Sequence, residues 1–144
     1  MNSLQLKLCD IQGRLFVCSL KKGMDSLSFA SAFMRSKVAK YLDSEYHFYQ
    51  WAGEEYLLEE LCEEAGSSIR KTGKFIPEDA MYWMGYLYRY WQLHTGETSA
   101  QIYKQAPASV VAQNYLMFHT MDCRMAIEDL KEIYLQKKSK YVTK

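Results

Sequence analysis

Between Pro77 and Gly96 the chain reads PEDAMYWMGYLYRYWQLHTG, a stretch with few backbones open to it. Six of the eleven residues from Met81 to Trp91 are aromatic, with a single charge, Arg89, and a single glycine, Gly85. Pro77 suits a first helical turn and Gly96 a C-terminal cap, so the segment is expected to be one long helix. At 3.6 residues per turn, Trp83, Tyr86, Leu87, Tyr90, Trp91 and His94 share a broad face, expected to be core. Burying two tryptophans and a leucine there contributes several kcal/mol at about 25 cal/mol per Å². Gly85, Arg89 and Gln92 fall opposite, flanked by Tyr82 and Tyr88.

That back face invites a functional reading. Tyr and Arg are enriched at interface hot spots, and a glycine permits close approach, so Tyr82, Tyr88 and Arg89 are partner-binding candidates. On this reading, replacing Arg89 and Tyr82 by alanine weakens partner capture and leaves thermal stability near wild type. The plainer alternative is that Arg89 pairs with a carboxylate or stacks on a tyrosine.

The remaining segments predict a mostly α-helical fold, a single compact bundle of about five to six helices. Residues 25–43 start on a capping aspartate, Asp25, and repeat Phe29, Phe33 and Val38 at helical spacing. Residues 44–66 open on Ser44, carry a Leu57, Leu58, Leu61 and Cys62 stripe and end at Gly66. A polar loop follows over 67–75, and a short helix over 99–105 stops before Pro107. A further helix runs from Pro107, and a last one from Asp122 to about Lys137, with Met125, Ile127, Leu130, Ile133 and Tyr134 inward. The first 23 residues read differently. Leu4, Leu6 and Leu8 alternate with polar neighbours and Gly13 follows, which predicts a short N-terminal β-hairpin or appendage. The domain division is thus 1–23, a helical domain over 24–136, and a basic flexible tail over 137–144.

Charge narrows the function classes. The chain of 144 residues has a net charge of +1, whereas proteins that grip phosphate backbones carry a concentrated positive surplus. The charge is segregated instead. Six glutamates lie within Glu54–Glu64, of which Glu55, Glu59 and Glu63 face away from the leucine stripe as a candidate acidic surface for a basic partner. Trp51, just before them, is a further candidate anchor. Lys137, Lys138, Lys140 and Lys144 make the tail basic. The longest apolar run is about 14 residues and contains Arg89, too short for a bilayer. The opening residues lack the apolar core of a signal peptide, and four dispersed cysteines form no C-x-x-C pair, so a cytoplasmic location with reduced thiols is expected.

No catalytic constellation is legible. His47, His94 and His119 sit on separate segments, without H-E-x-x-H or E-x-x-H spacing. The seven glycines form neither a P-loop nor a dinucleotide fingerprint, and no G-x-S-x-G elbow occurs. No enzyme activity, cofactor or metal is therefore expected. A competing reading is a DNA-binding regulator using a helix-turn-helix-like pair over 99–118. The spacing fits, but ASVVAQNYLMF offers base edges only Gln113 and Asn114, with no Lys or Arg.

Three stretches, LDSEYHFYQWAGEEYLLEEL, MYWMGYLYRYW and IYKQAPASVVAQNYLMFHTMDCRMAIEDLKEIY, resemble small bacterial proteins encoded beside toxin genes, some of the ADP-ribosyltransferase type. The likeness covers roughly residues 24–134 and transfers no functional residue. It implies an antitoxin or accessory protein that neutralises a cognate toxin by stoichiometric binding. The chain departs from common antitoxin design in having neither a basic recognition helix nor a long disordered neutralising tail. The sequence reading is accordingly a non-catalytic protein-binding module, with self-association left open.

Overall fold

The segment expected to form a hairpin is a helix. In the computed structural model, which describes residues 1–44 and 48–142, α1 spans Ser3–Lys21. Its start is a capping box: the Asn2 side chain accepts from Gln5 N–H at 2.8 Å, and Gln5 Oε1 accepts from Asn2 N–H at 3.1 Å. The buried stripe is Leu8, Cys9, Gln12, Gly13, Leu15, Phe16 and Ser19, a helical repeat. Polar and small residues fill half of it, so hydrophobicity alone does not show it. Leu4 and Leu6, the basis of the alternation, are 57% and 39% exposed.

Nine α-helices and no strand occur among the described residues. The stretch 25–43 divides into α2 (Ser26–Met34) and α3 (Lys37–Asp43). The break is at Ser36, whose Oγ donates to the Phe33 carbonyl at 2.6 Å and accepts from Ala39 N–H at 3.0 Å. Such local side-chain bonds end one helix and begin the next. A 3-10 turn at Phe48–Trp51 precedes α4 (Glu54–Ala65), ten residues later than Ser44 would have started it, and a second covers Gly66–Ser68. α5 (Glu78–Thr95) ends as expected at Gly96, in the left-handed conformation at φ 78°. Then come α6 (Ser99–Gln105), α7 (Ala108–Gln113), α8 (Tyr115–Phe118) and α9 (Cys123–Val142). Through Val142 the expected flexible tail is therefore helical, and Lys144 lies outside the described residues. On α9, Ile127 and Leu130 point inward, whereas Met125 is 55% exposed.

α1 lies along α5 and also contacts α4, so residues 1–23 supply core rather than hang from it. Phe16 meets Phe29 and Phe33 edge-on, at ring centroid distances of 5.0 and 5.5 Å. The α1–α5 approach is set by two glycines. A Cβ added at Gly85 would stand 2.6 Å from the Gln12 carbonyl oxygen and 2.8 Å from Phe16 Cγ, and one at Gly13 would stand 2.7 Å from the Tyr82 ring.

At the far end of α5 a clamp gathers three helices around Glu97. Trp91 Nε1 donates to it at 3.0 Å and Lys131 Nζ at 2.6 Å, with Gln105 Nε2 on its other oxygen. Lys131 also stands 5.4 Å from the centre of the Trp91 ring. Burial by itself would raise the Glu97 carboxyl. Hydrogen bonds from Lys131, Trp91 and Gln105, and the contact with Thr95, outweigh it and bring the pKa from 4.5 to about 2.

Three variants test this packing. Gly85→Ala gains about 1 kcal/mol of helix propensity but loses more to the clash with backbone, for a net destabilisation of about 2 kcal/mol in denaturant titration. Gly66→Ala, whose added Cβ meets nothing nearer than Cys62 Cβ at 3.8 Å, stays within about 0.5 kcal/mol of wild type. Because the Glu97 pKa is depressed, its contribution is complete above the ordinary 4.5 and fades as pH falls toward about 2. Glu97→Gln should therefore melt below wild type at neutral pH, with the gap closing as melts are taken toward pH 2.

Candidate functional site

α5 is rotated relative to its aromatic pattern. Its buried residues are Ala80, Met81, Met84, Gly85, Leu87, Tyr88, Arg89, Trp91 and Gln92. The face expected to look outward, Gly85, Tyr88, Arg89 and Gln92, is thus interior. Trp83, Tyr86 and Tyr90 are only half-buried, and His94 is exposed. Trp91 and Leu87, shared by both faces, are buried either way.

The reason is a polar cluster that α5 closes over. Arg89 is fully buried. Its Nε donates to Gln12 Oε1 on α1 at 2.8 Å, and Nη1 donates to Asp43 Oδ1 at the end of α3 at 2.7 Å and to Gln92 Oε1 at 3.1 Å. Gln12 Nε2 donates to the Gly85 carbonyl at 2.9 Å. Asp43 accepts in turn from the backbone N–H and the hydroxyl of Ser99, at 2.8 and 2.7 Å, where α6 begins. Burial pulls the Arg89 pKa below its ordinary value, and Asp43 opposes that pull. Arg89 Nη2 has no hydrogen-bond partner, alone among buried side-chain nitrogens and oxygens of the described residues. Tyr88 is equally buried, donating from its hydroxyl to the Ala106 carbonyl at 2.6 Å. Neither Arg89 nor Tyr88 is placed to touch a partner, which corrects their assignment to a surface patch.

With that face inside, Tyr82, Trp83 and Tyr86 of α5 line an open groove of about 390 Å³. Tyr82 and Tyr86 stand 6.1 Å apart, Trp83 meets the Tyr115 ring of α8 edge-on at 5.6 Å, and Tyr115 stacks on His119 at 4.4 Å. Val17 of α1, and Glu78 and Asp79 in the first turn of α5, complete the lining. The Tyr82 hydroxyl donates to Asp10 on α1; burial first, and then this bond, hold the phenol protonated well above its ordinary range. Tyr82 is therefore half-buried and fixed, yet still part of a surface.

This groove continues into a second, of about 540 Å³, the two sharing Asp79 and Tyr115. The second is mainly apolar, with Phe75 52% and Leu116 82% exposed. Met117, next to Leu116, is 67% exposed. None of Phe75, Glu78, Asp79, Tyr115, Leu116 or Met117 is recognisable from the sequence as part of one site, since three segments supply them. The nearest signal is the short apolar run YLMF, of which Phe118 is buried while Leu116 and Met117 face solvent.

The other sequence candidates are dispersed. Trp51 is 66% exposed and rims a separate groove of about 580 Å³, which also has Leu4, Leu93, Asp43 and Gln92 in its wall. Glu55, Glu59 and Glu63 are exposed on α4, apart from both grooves of the trough. α6 and α7 do meet at Ala106 and Pro107, but Ala108 and Val111 are buried, and the exposed Ser109, Gln113, Leu116 and Met117 include no cation. His94 and His119 line different grooves, and His47 lies outside the described residues. Cys9 is buried, which pushes its thiol up to about 12. Among the described residues no three His, Cys, Asp or Glu gather to hold a metal, and no helix is long and apolar enough to cross a membrane.

No family model, curated protein or solved structure matches the chain. Its function has to be argued from this geometry.

Arg89→Ala leaves the Asp43 carboxylate and Gln12 without their cation in the interior, so chemical denaturation should show a loss of about 3–5 kcal/mol. Tyr82→Phe, which keeps the half-buried ring and loses one hydrogen bond, should cost about 1 kcal/mol.

Proposed function

We propose that the protein is a non-catalytic binding module whose partner is another protein, held along the trough from Phe75 and Leu116 to Tyr86. The observation that carries this reading is the exposure of Leu116 and Met117 on a four-residue helix, beside Phe75 and continuous with a half-buried aromatic wall. An isolated exposed leucine needs no explanation, whereas a contiguous apolar surface edged by charge is the ordinary form of a docking site. Rigid aromatic side chains already held in place lose little entropy on binding, which suits them to anchor a complex.

Charge selects the partner. Glu78 and Asp79 border the trough, and neither has an ion-pair or hydrogen-bonded partner. Lys74 lines the groove beside Phe75 and Leu116, so the negative border of the trough is at its aromatic end, where Glu78 and Asp79 stand. The complementary occupant is a protein segment with apolar side chains and basic neighbours. Carboxylates of this kind chiefly raise the association rate and reject acidic competitors, while the apolar contacts set residence time. A cognate toxin, of the ADP-ribosyltransferase type that the sequence resemblance implies, is the partner class this reading takes first.

Leu116→Asp with Met117→Asp should abolish capture of that partner in a pull-down of the co-expressed pair, with the melting temperature kept within about 2 °C. Hydrogen exchange in the recovered complex should slow at residues 75–86 and 114–119. Capture that survives the double change, or DNA binding in a gel shift that falls steeply with salt, overturns the proposal.

A further inference from the structure

We infer that the aromatic end of the trough is the seat of an arginine side chain that the partner inserts, an assignment that rests on the docking reading above and names the recognised group. The lining is mostly aromatic: Tyr82, Trp83, Tyr86 and Tyr115, beside Val17 of α1, with His119 stacked on Tyr115. A cation over such rings is attracted by their quadrupole, more strongly where water is displaced. No lysine or arginine of this chain lines the groove. Arg14, the cation on the neighbouring turn of α1, is held by Asp10 at 3.0 Å.

The polar groups at the mouth accept hydrogen bonds. Glu78 and Asp79 are unpaired carboxylates; besides opposing the helix dipole at the start of α5, they are free to receive donors. His119 is a third acceptor. Its Nδ1 lies 2.7 Å from the Tyr115 carbonyl, so in the neutral ring Nδ1–H donates there and Nε2 keeps a lone pair. An anion meets the Glu78 and Asp79 carboxylates here, and a plain apolar side chain leaves the acceptors unused.

Among cations the guanidinium fits best. It is planar, so it stacks on a ring face; it is weakly hydrated, so it enters a half-buried groove readily; and its five N–H groups serve several acceptors at once. A quaternary ammonium satisfies the rings but not the carboxylates or His119. Lysine brings a compact, strongly hydrated charge that shares one face at most.

The test uses the intact protein and three probes, N-acetyl-arginine amide, its neutral citrulline analogue and tetramethylammonium, followed by the indole N–H resonance of Trp83. The arginine probe should shift that resonance saturably, at least about tenfold more tightly than either of the others, a difference of about 1.4 kcal/mol. Glu78→Gln with Asp79→Asn should weaken the arginine probe about fivefold, as two exposed charge contacts are lost, and Tyr115→Leu should remove the response. Equal titration by arginine and citrulline, equal titration by tetramethylammonium, or no shift at all overturns the assignment. An absent arginine response with partner capture still dependent on Leu116 defeats this inference alone, whereas capture independent of Leu116 defeats the docking reading and this inference with it.

Discussion

A single buried cation organises the bundle. The Arg89 guanidinium bonds residues from α1 and α3 and one turn of its own helix, and through Asp43 it reaches the start of α6. Removing an arginine and an aspartate from water is expensive, and it is repaid only by good geometry and further hydrogen bonds. Here Gln12, Gln92 and Ser99 supply those bonds, while Nη2 remains without one. A purely apolar contact between α1 and α5 tolerates sliding along the groove; a guanidinium fork held at fixed sites on three helices does not. The cluster thereby fixes register and rotation.

That rotation decides which side of α5 remains available. The helix has too many aromatic residues to bury all of them in a chain this size. Once Arg89, Tyr88 and Gly85 turn inward toward α1, Trp83, Tyr86 and Tyr82 are left near solvent. The close approach at Gly13 and Gly85 depends on the same choice, because only the glycine face of α5 admits α1 so near. Internal order and surface function are thus two results of one orientation. The surface carries the trough because the interior took the arginine.

The acidic residues divide along similar lines. Asp43 and Glu97 are consumed in holding helices together, the first under Arg89 and the second between Trp91, Gln105 and Lys131. Glu64 caps α3, accepting from Lys37 N–H at 2.8 Å. Glu78 and Asp79 have no such employment, although they look no different in the sequence. A count of charges or a run of glutamates therefore says little about where a partner is met.

What the sequence by itself determined is local. Pro77 and Gly96 bracket α5, and Thr98 and Pro107 bracket α6, because capping chemistry acts within a few residues and is written in them. The same locality misled at the N-terminus: Leu4, Leu6 and Leu8 alternate, and Gly13 looks like a turn, until a partner helix gives that glycine a reason to sit mid-helix. The facing of α5 was not legible, since aromatic residues occupy both sides and periodicity ranks them equally. Only the tertiary structure could choose, because the charge that brings Arg89 inside, Asp43, lies 46 residues away in the chain. The trough has the same origin: Glu78, Tyr86 and Tyr115 become one surface only when α5 and α8 are laid side by side.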